Sequence, residues 1–301
     1  MHFHFCLATM PAVFRESVQD LITLIGAGLE ECGCRVTFDD ARVIFGGSAI
    51  NLILEHFEGD AAKDLVATKR AKGSDFPLGL IFSEDLRDPN VMAGDFTWRT
   101  ENFQRVAEVA DFIWYVIPGT ERRTDIIDPE KCRQIEFGYS ARFATVPVQA
   151  QRDIDFFLPG LAYPRRKPIL EQLHARGYHV RSSDLTTPAY IYRSLMGRAK
   201  TILDIRRFEN TRTLSVVRIC MAAMNGLAVL AEKFDDADFA EMYPYTVPID
   251  FDTYVERSIE FVEREDAVAV GTAKRDALMR ERPFKRYIES LLAAPYFDFF
   301  R

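Results

Sequence analysis

The stretch Asp153-Ile-Asp-Phe-Phe-Leu158-Pro-Gly160-Leu-Ala-Tyr-Pro-Arg165-Arg166-Lys167-Pro-Ile-Leu-Glu-Gln-Leu173 decides the fold. Ile154–Leu158 is of strand length and apolar except at Asp155, Gly160 closes it, and Pro164 opens a segment whose apolar residues recur at helical spacing as far as Arg176. The alternation continues downstream. Strands are expected at His179–Arg181, Thr201–Ile205 and Ala228–Ala231, with helices at Pro188–Arg198 and Thr211–Asn225 between them. Strands that alternate with helices pair in parallel, because only a helical crossover returns the chain to the same end of the sheet.

Working outward, the same pattern fills the first half. Strands are expected at His2–Leu7, Arg35–Phe38, Ala49–Leu54, Leu78–Phe82, Phe112–Ile117 and Arg133–Phe137. Helices are expected at Phe14–Cys32, where Val18, Leu21, Ile22, Ile25 and Leu29 form one apolar stripe, and at Ala61–Ala71 and Thr100–Ala110. Between Gly138 and Arg152 no period is sustained. The expected organisation is therefore α/β, with two Rossmann-like, doubly wound domains facing a cleft: residues 1–140, a linker at 141–152, residues 153–265, and a helical tail at 266–301. The helices of that last part are placed at Phe251–Arg264 and Ala267–Leu292, the latter broken near Pro283.

Composition narrows the function. The 301 residues are 48% hydrophobic and 28% charged, ample for buried cores and free of the bias of disordered chains. Runs such as Phe112–Pro118 are far shorter than the roughly 18 to 20 apolar residues of a membrane span. Met1–Cys6 lacks the basic start and apolar core of a signal peptide, so a cytoplasmic location is expected. The five cysteines form neither a disulfide framework nor a paired CxxC cluster, so no structural zinc is expected. Net charge is -7 overall, yet residues 153–232 carry 12 Lys and Arg against 7 Asp and Glu. A local basic segment in an acidic chain suits one anionic ligand; a nucleic-acid surface would need a basic domain.

Absent motifs remove several chemistries. The GxG at Gly26-Ala-Gly28 lies inside the first helix, and neither GxxxxGK[ST] nor GxSxG occurs, which disfavours nicotinamide, P-loop and serine-hydrolase readings. Three DxD pairs, Asp153/Asp155, Asp236/Asp238 and Asp250/Asp252, are read as caps and solvated groups, not as metal ligands. Arg165 and Arg166 at a helix entrance oppose the helix dipole, and a bound anion would account for them. Thr201–Ile205 delivers Arg206 and Glu209 at its carboxyl end, and Arg218 sits in an apolar helix, where it needs a carboxylate or a phosphate.

The succession of strand, Gly160, Arg165-Arg166 and helix, then strand, Glu209 and a helix with Val217-Arg218-Ile219, then Asn225-Gly226, strand and Glu232, resembles the C-terminal domain of GT-B glycosyltransferases. It is similar to the CgeB-like (spore maturation protein-like) group and to related bacterial enzymes of family 1/4 type. Ile50–Glu55, Leu80–Asp85 and Ile135–Tyr139 resemble, more loosely, the strands and hinge of the N-terminal domain. The resemblance implies a nucleoside-diphosphate sugar as donor on the second domain, at Gly160, Arg165, Arg166, Arg206, Glu209, Arg218 and Glu232. It implies an acceptor on the first domain: a glycan, a lipid-linked sugar or a protein, with peripheral membrane association allowed.

Arginines and helix amides can stabilise a leaving diphosphate without a metal, so no metal and no cofactor beyond the co-substrate are expected. Glu84 and Asp85, at a strand end, are the first choices for the acceptor base, followed by Glu55-His56. The alternatives are a non-catalytic nucleotide- or glycan-binding protein of the same fold, and a sugar-nucleotide epimerase.

Overall fold

Eleven strands form two parallel sheets among the described residues of the computed structural model, which are 1–85, 97–122, 127–184, 186–211, 213–235 and 237–300. The chain divides into two units, Met1–Val18 with Ile22–Glu136 and Lys285–Arg301, and Gln19–Leu21 with Phe137–Phe284. Each is a Rossmann-like layer of strands and helices.

The first unit holds β1 (His2–Cys6), β2 (Arg35–Asp39), β3 (Ile50–Leu54), β4 (Leu78–Phe82), β5 (Phe112–Tyr115) and β6 (Cys132–Gln134) in the order β2-β1-β3-β4-β5-β6. Helices α1 (Ala12–Glu31), α2 (Ala61–Lys72) and α3 (Thr97–Val109) connect them. Every residue of β3, β4 and β5 is buried, which is why these segments read as unbroken apolar runs and not as alternating ones. The chain end belongs here: Tyr296 stacks on Phe112 at 5.0 Å and accepts a hydrogen bond from Trp114 Nε1 at 3.2 Å.

Close packing gives a first prediction. A Cβ on Gly79, in the middle of β4, would lie 2.3 Å from the Phe112 ring and 2.8 Å from a methyl of Leu52. Gly79→Ala should therefore destabilise by about 1–3 kcal/mol through overpacking, read as a lower urea midpoint at unchanged slope. An unchanged midpoint would mean that the core yields freely.

The second unit holds β7 (Ile154–Leu158), β8 (Val180–Ser182), β9 (Ala199–Asp204), β10 (Ala228–Glu232) and β11 (Val247–Ile249) in the order β11-β10-β9-β7-β8. Its helices are α4 (Lys167–Ala175), α5 (Ala189–Arg198), α6 (Val216–Met224), α7 (Tyr254–Arg264) and α8 (Ala267–Glu281); α9 (Phe284–Leu292) lies almost wholly in the first unit. The segment 266–301, expected as one tail, is thus shared between the units.

Two helix starts differ from the sequence reading. Of the two prolines, Pro168 takes the first-turn position, so α4 begins at Lys167 and Arg165 and Arg166 stand ahead of it in a turn. The helix expected from Thr211 begins at Val216. Strand β11 was not foreseen; it is three residues long, contains Pro248 and lies at the sheet edge, where a missing N–H is tolerated. No helix among the described residues is long and apolar enough to cross a membrane.

Candidate functional site

In the second sheet the chain runs from β7 out to β8 and then returns to β9 on the other side of β7. Such a reversal leaves a crevice at the carboxyl ends of the two central strands, the usual ligand position in open α/β sheets. Leu158, Asp204 and Glu232 end β7, β9 and β10 there, and five arginines gather around them.

Glu232 is fully buried and both its oxygens are occupied. Arg165 donates to it through two nitrogens at 2.7 and 2.9 Å, while Arg206 donates from Nε at 2.7 Å and from its backbone N–H at 2.9 Å. Glu232 therefore positions the two guanidinium groups and has little accepting capacity left for a sugar hydroxyl. Each guanidinium also lies on an aromatic face, Arg165 at 3.4 Å from Phe251 and Arg206 at 5.0 Å from Phe234.

Asp204 plays the same part for Arg218, accepting from Nη1 at 2.6 Å, and its other oxygen accepts from the Ser215 N–H at 3.2 Å, next to the start of α6. Arg166 is different. It is buried, and among the described residues it makes no ion pair; its donors go to the carbonyls of Ile205 at 2.8 Å and Leu161 at 3.0 Å. Burial, and then the neighbouring charge of Arg218, push its pKa down to about 10. Gly160, at φ 140°, allows this crowding: a Cβ there would sit 3.1 Å from Arg218 Nη2 and 3.6 Å from Arg166 Nη1. Arg207 lies 4.8 Å from the ring of Tyr163.

Of the residues expected here, Gly160, Arg165, Arg166, Arg206, Arg218 and Glu232 come together. Glu209 follows them, but its side chain is exposed; its carbonyl accepts from Arg206 Nη1 at 3.1 Å and its charge acts on Arg165. Asp204, Arg207 and Tyr163 were missed. Asp204 was legible as an acid ending a buried strand, opposite an arginine confined to an apolar helix.

Of the DxD pairs, Asp250 and Asp252 flank Phe251, whose ring carries Arg165, and so border this site. Asp153 and Asp155, at the opposite end of β7, bind Arg198 and Lys200. Asp250 lies 3.9 Å from Lys233, and Asp236 is outside the described residues.

In the first unit, Glu55 and His56 follow β3, and Glu84 and Asp85 follow β4. Glu55 is buried, and its Oε1 accepts from the Ser83 N–H at 3.1 Å and hydroxyl at 2.6 Å. The two nitrogens of His56 lie 3.7 Å from Glu55 Oε1 and 3.6 Å from Glu84 Oε1. Asp85 is buried, whereas the Glu84 side chain is 24% exposed.

No protein-family model and no curated protein matches this chain. Solved structures do. TarM matches with a TM-score of 0.54 at 11% identity, over 82% of this chain and 54% of that one. A mutant TarM from S. aureus, in complex with fondaparinux, alpha-GlcNAc-glycerol and UDP, matches at 0.52 and 12%, over 82% and 55%. A UDP-forming alpha,alpha-trehalose-phosphate synthase from Burkholderia xenovorans matches at 0.50 and 10%, over 82% and 73%. The chain spans about half the length of the TarM structures. At such identities the likeness is one of fold, and the fold is that of GT-B glycosyltransferases.

Proposed function

We propose that the chain is a glycosyltransferase of the CgeB-like type that moves a hexosyl group from a nucleoside-diphosphate sugar to an acceptor hydroxyl, with a glycan, a lipid-linked sugar or a protein as acceptor. The observation that carries this reading is the excess of guanidinium groups at the β7–β9 crevice. Five arginines face two buried carboxylates, and Arg166 is held there against its own desolvation. A diphosphate relieves that excess. In transfer, the sugar's anomeric carbon–oxygen bond to the diphosphate breaks with its electrons going to the leaving group, a bond to the acceptor oxygen forms, and a carboxylate takes the acceptor proton. Arg166, Arg207 and Arg218 stabilise the leaving charge, Arg165 and Arg206 are fixed by Glu232, and the exposed Glu209 is free to accept from a sugar hydroxyl. Glu84 and Asp85 are the carboxylates proposed for the proton. The UDP in the TarM complex supports a nucleotide of this class.

Fixed cations make a metal superfluous at the diphosphate. Slow nucleoside-diphosphate release from the matching nucleotide sugar in water alone should therefore survive EDTA. Loss of nucleoside-diphosphate binding itself in EDTA, recovered by Mn²⁺, would refute the arginine-based donor site. Tight donor binding with neither hydrolysis nor transfer to any acceptor would make the chain a binding protein.

A further inference from the structure

We propose that Glu55, His56 and Glu84 form a binding site for a divalent transition-metal ion in the first unit, independent of the donor reading above. Each offers one ligand atom, and the three atoms lie within 4.8 Å of one another, a spread that small side-chain rotations close around one ion. A second observation points the same way. Glu55 is 3% exposed; one of its oxygens is fixed by Ser83, while the other, Oε2, is buried with no hydrogen-bond partner. Glu55 thus keeps unused accepting capacity beside His56, whose Nδ1 lies 3.7 Å from the Oε1 that Ser83 fixes, as a carboxylate oriented by a neighbour for ligation does. Leaving a carboxylate oxygen buried and unmatched is unfavourable, and a bound cation removes that penalty.

The position agrees with the topology. The first sheet reverses direction between β1 and β3, so its ligand crevice opens where β3 ends and Glu55 begins. The loop after β1 reaches the same place: the Thr9 carbonyl accepts from the Glu58 N–H at 2.8 Å, and the Thr9 hydroxyl is buried without a hydrogen-bond partner. The ring of Phe14 lies 5.1 Å from that of His56 and narrows one side. One imidazole with two carboxylates selects zinc, manganese or iron over magnesium and calcium, which prefer oxygen-only sets. With Glu84 engaged as a ligand, Asp85 is left to accept the acceptor's proton.

The test uses the full chain, stripped with chelator and dialysed. Co²⁺ titration followed by visible absorption, and Zn²⁺ titration by calorimetry, should each show one saturable site per chain, and saturation should raise the melting temperature. Glu55→Gln and His56→Gln should each weaken Zn²⁺ at least 100-fold, and Ser83→Ala about 10-fold by loosening Glu55. Should the buried variants fail to fold, Glu84→Gln, at the partly exposed ligand, decides: it must weaken Zn²⁺ and alter the cobalt spectrum while the far-ultraviolet circular dichroism stays unchanged. Absence of a saturable site, or a site of unchanged affinity in Glu84→Gln, overturns the proposal. Because donor binding is measured separately and in EDTA, either reading can fail without the other.

Discussion

Glu232→Ala is expected to destabilise the second unit by about 3–5 kcal/mol, the cost typical of removing one partner from a buried ion pair. The size follows from the geometry. Arg165 and Arg206, with side chains 13% and 17% exposed, would keep their charges within the protein and lose the one carboxylate that both engage. Burial already lowers the pKa of Arg165, and the like charge of Arg206 adds to it while Glu232 opposes it. A loss of this size should lower the melting temperature by roughly 10 °C for a unit of this length. Replacing Glu232, Arg165 and Arg206 together by Met should recover much of the stability, because the penalty lies in stranded charge and not in lost volume. A single variant as stable as the parent would contradict the clamp.

The second large effect separates binding from folding. Arg218→Met alone would strand the Asp204 carboxylate, so its loss of affinity could not be told from a loss of structure. Combined with Asp204→Asn it removes both charges of the pair, a change that is often close to neutral for stability. Affinity for a nucleoside diphosphate should nevertheless fall about 10- to 100-fold, the range of one charge-assisted hydrogen bond to phosphate. Arg207→Ala, which removes a cation that makes no ion pair among the described residues, should fall within the same range. Unchanged affinity in both variants would place the nucleotide elsewhere.

Much of the fold was legible because the signals were local. The buried run at Leu78–Phe82, the mostly buried one at Ile154–Leu158 and the stripe on α1 depend on near neighbours in sequence, and all three elements form. The arginines of the site were legible as oddities: charges at a helix entrance or inside an apolar helix ask for partners. Apart from Asp204 for Arg218, which partner each took was not legible. Glu232 and Glu209 read alike as acids after strands, yet one lies in the last buried position of β10 and the other in an exposed turn, a distinction set by strand register. The helix start at Val216 was hidden because the polar, arginine-rich sequence 206–215 suits a helix entrance as well as a turn. The return of 285–301 to the first unit depends on Phe112 and Trp114 meeting Tyr296 and Phe297, contacts that no local period encodes.

The claim that the arginine-lined end of the second sheet is built for a nucleoside diphosphate is tested most directly by calorimetric titration of the EDTA-treated chain with UDP, GDP, ADP, TDP and CMP. The account predicts one saturable site per chain for at least one diphosphate, weaker binding of CMP, and 10- to 100-fold weakening in Arg218→Met/Asp204→Asn, as expected for one charge-assisted contact. No binding of any diphosphate, or binding that the double variant leaves unchanged, would contradict it.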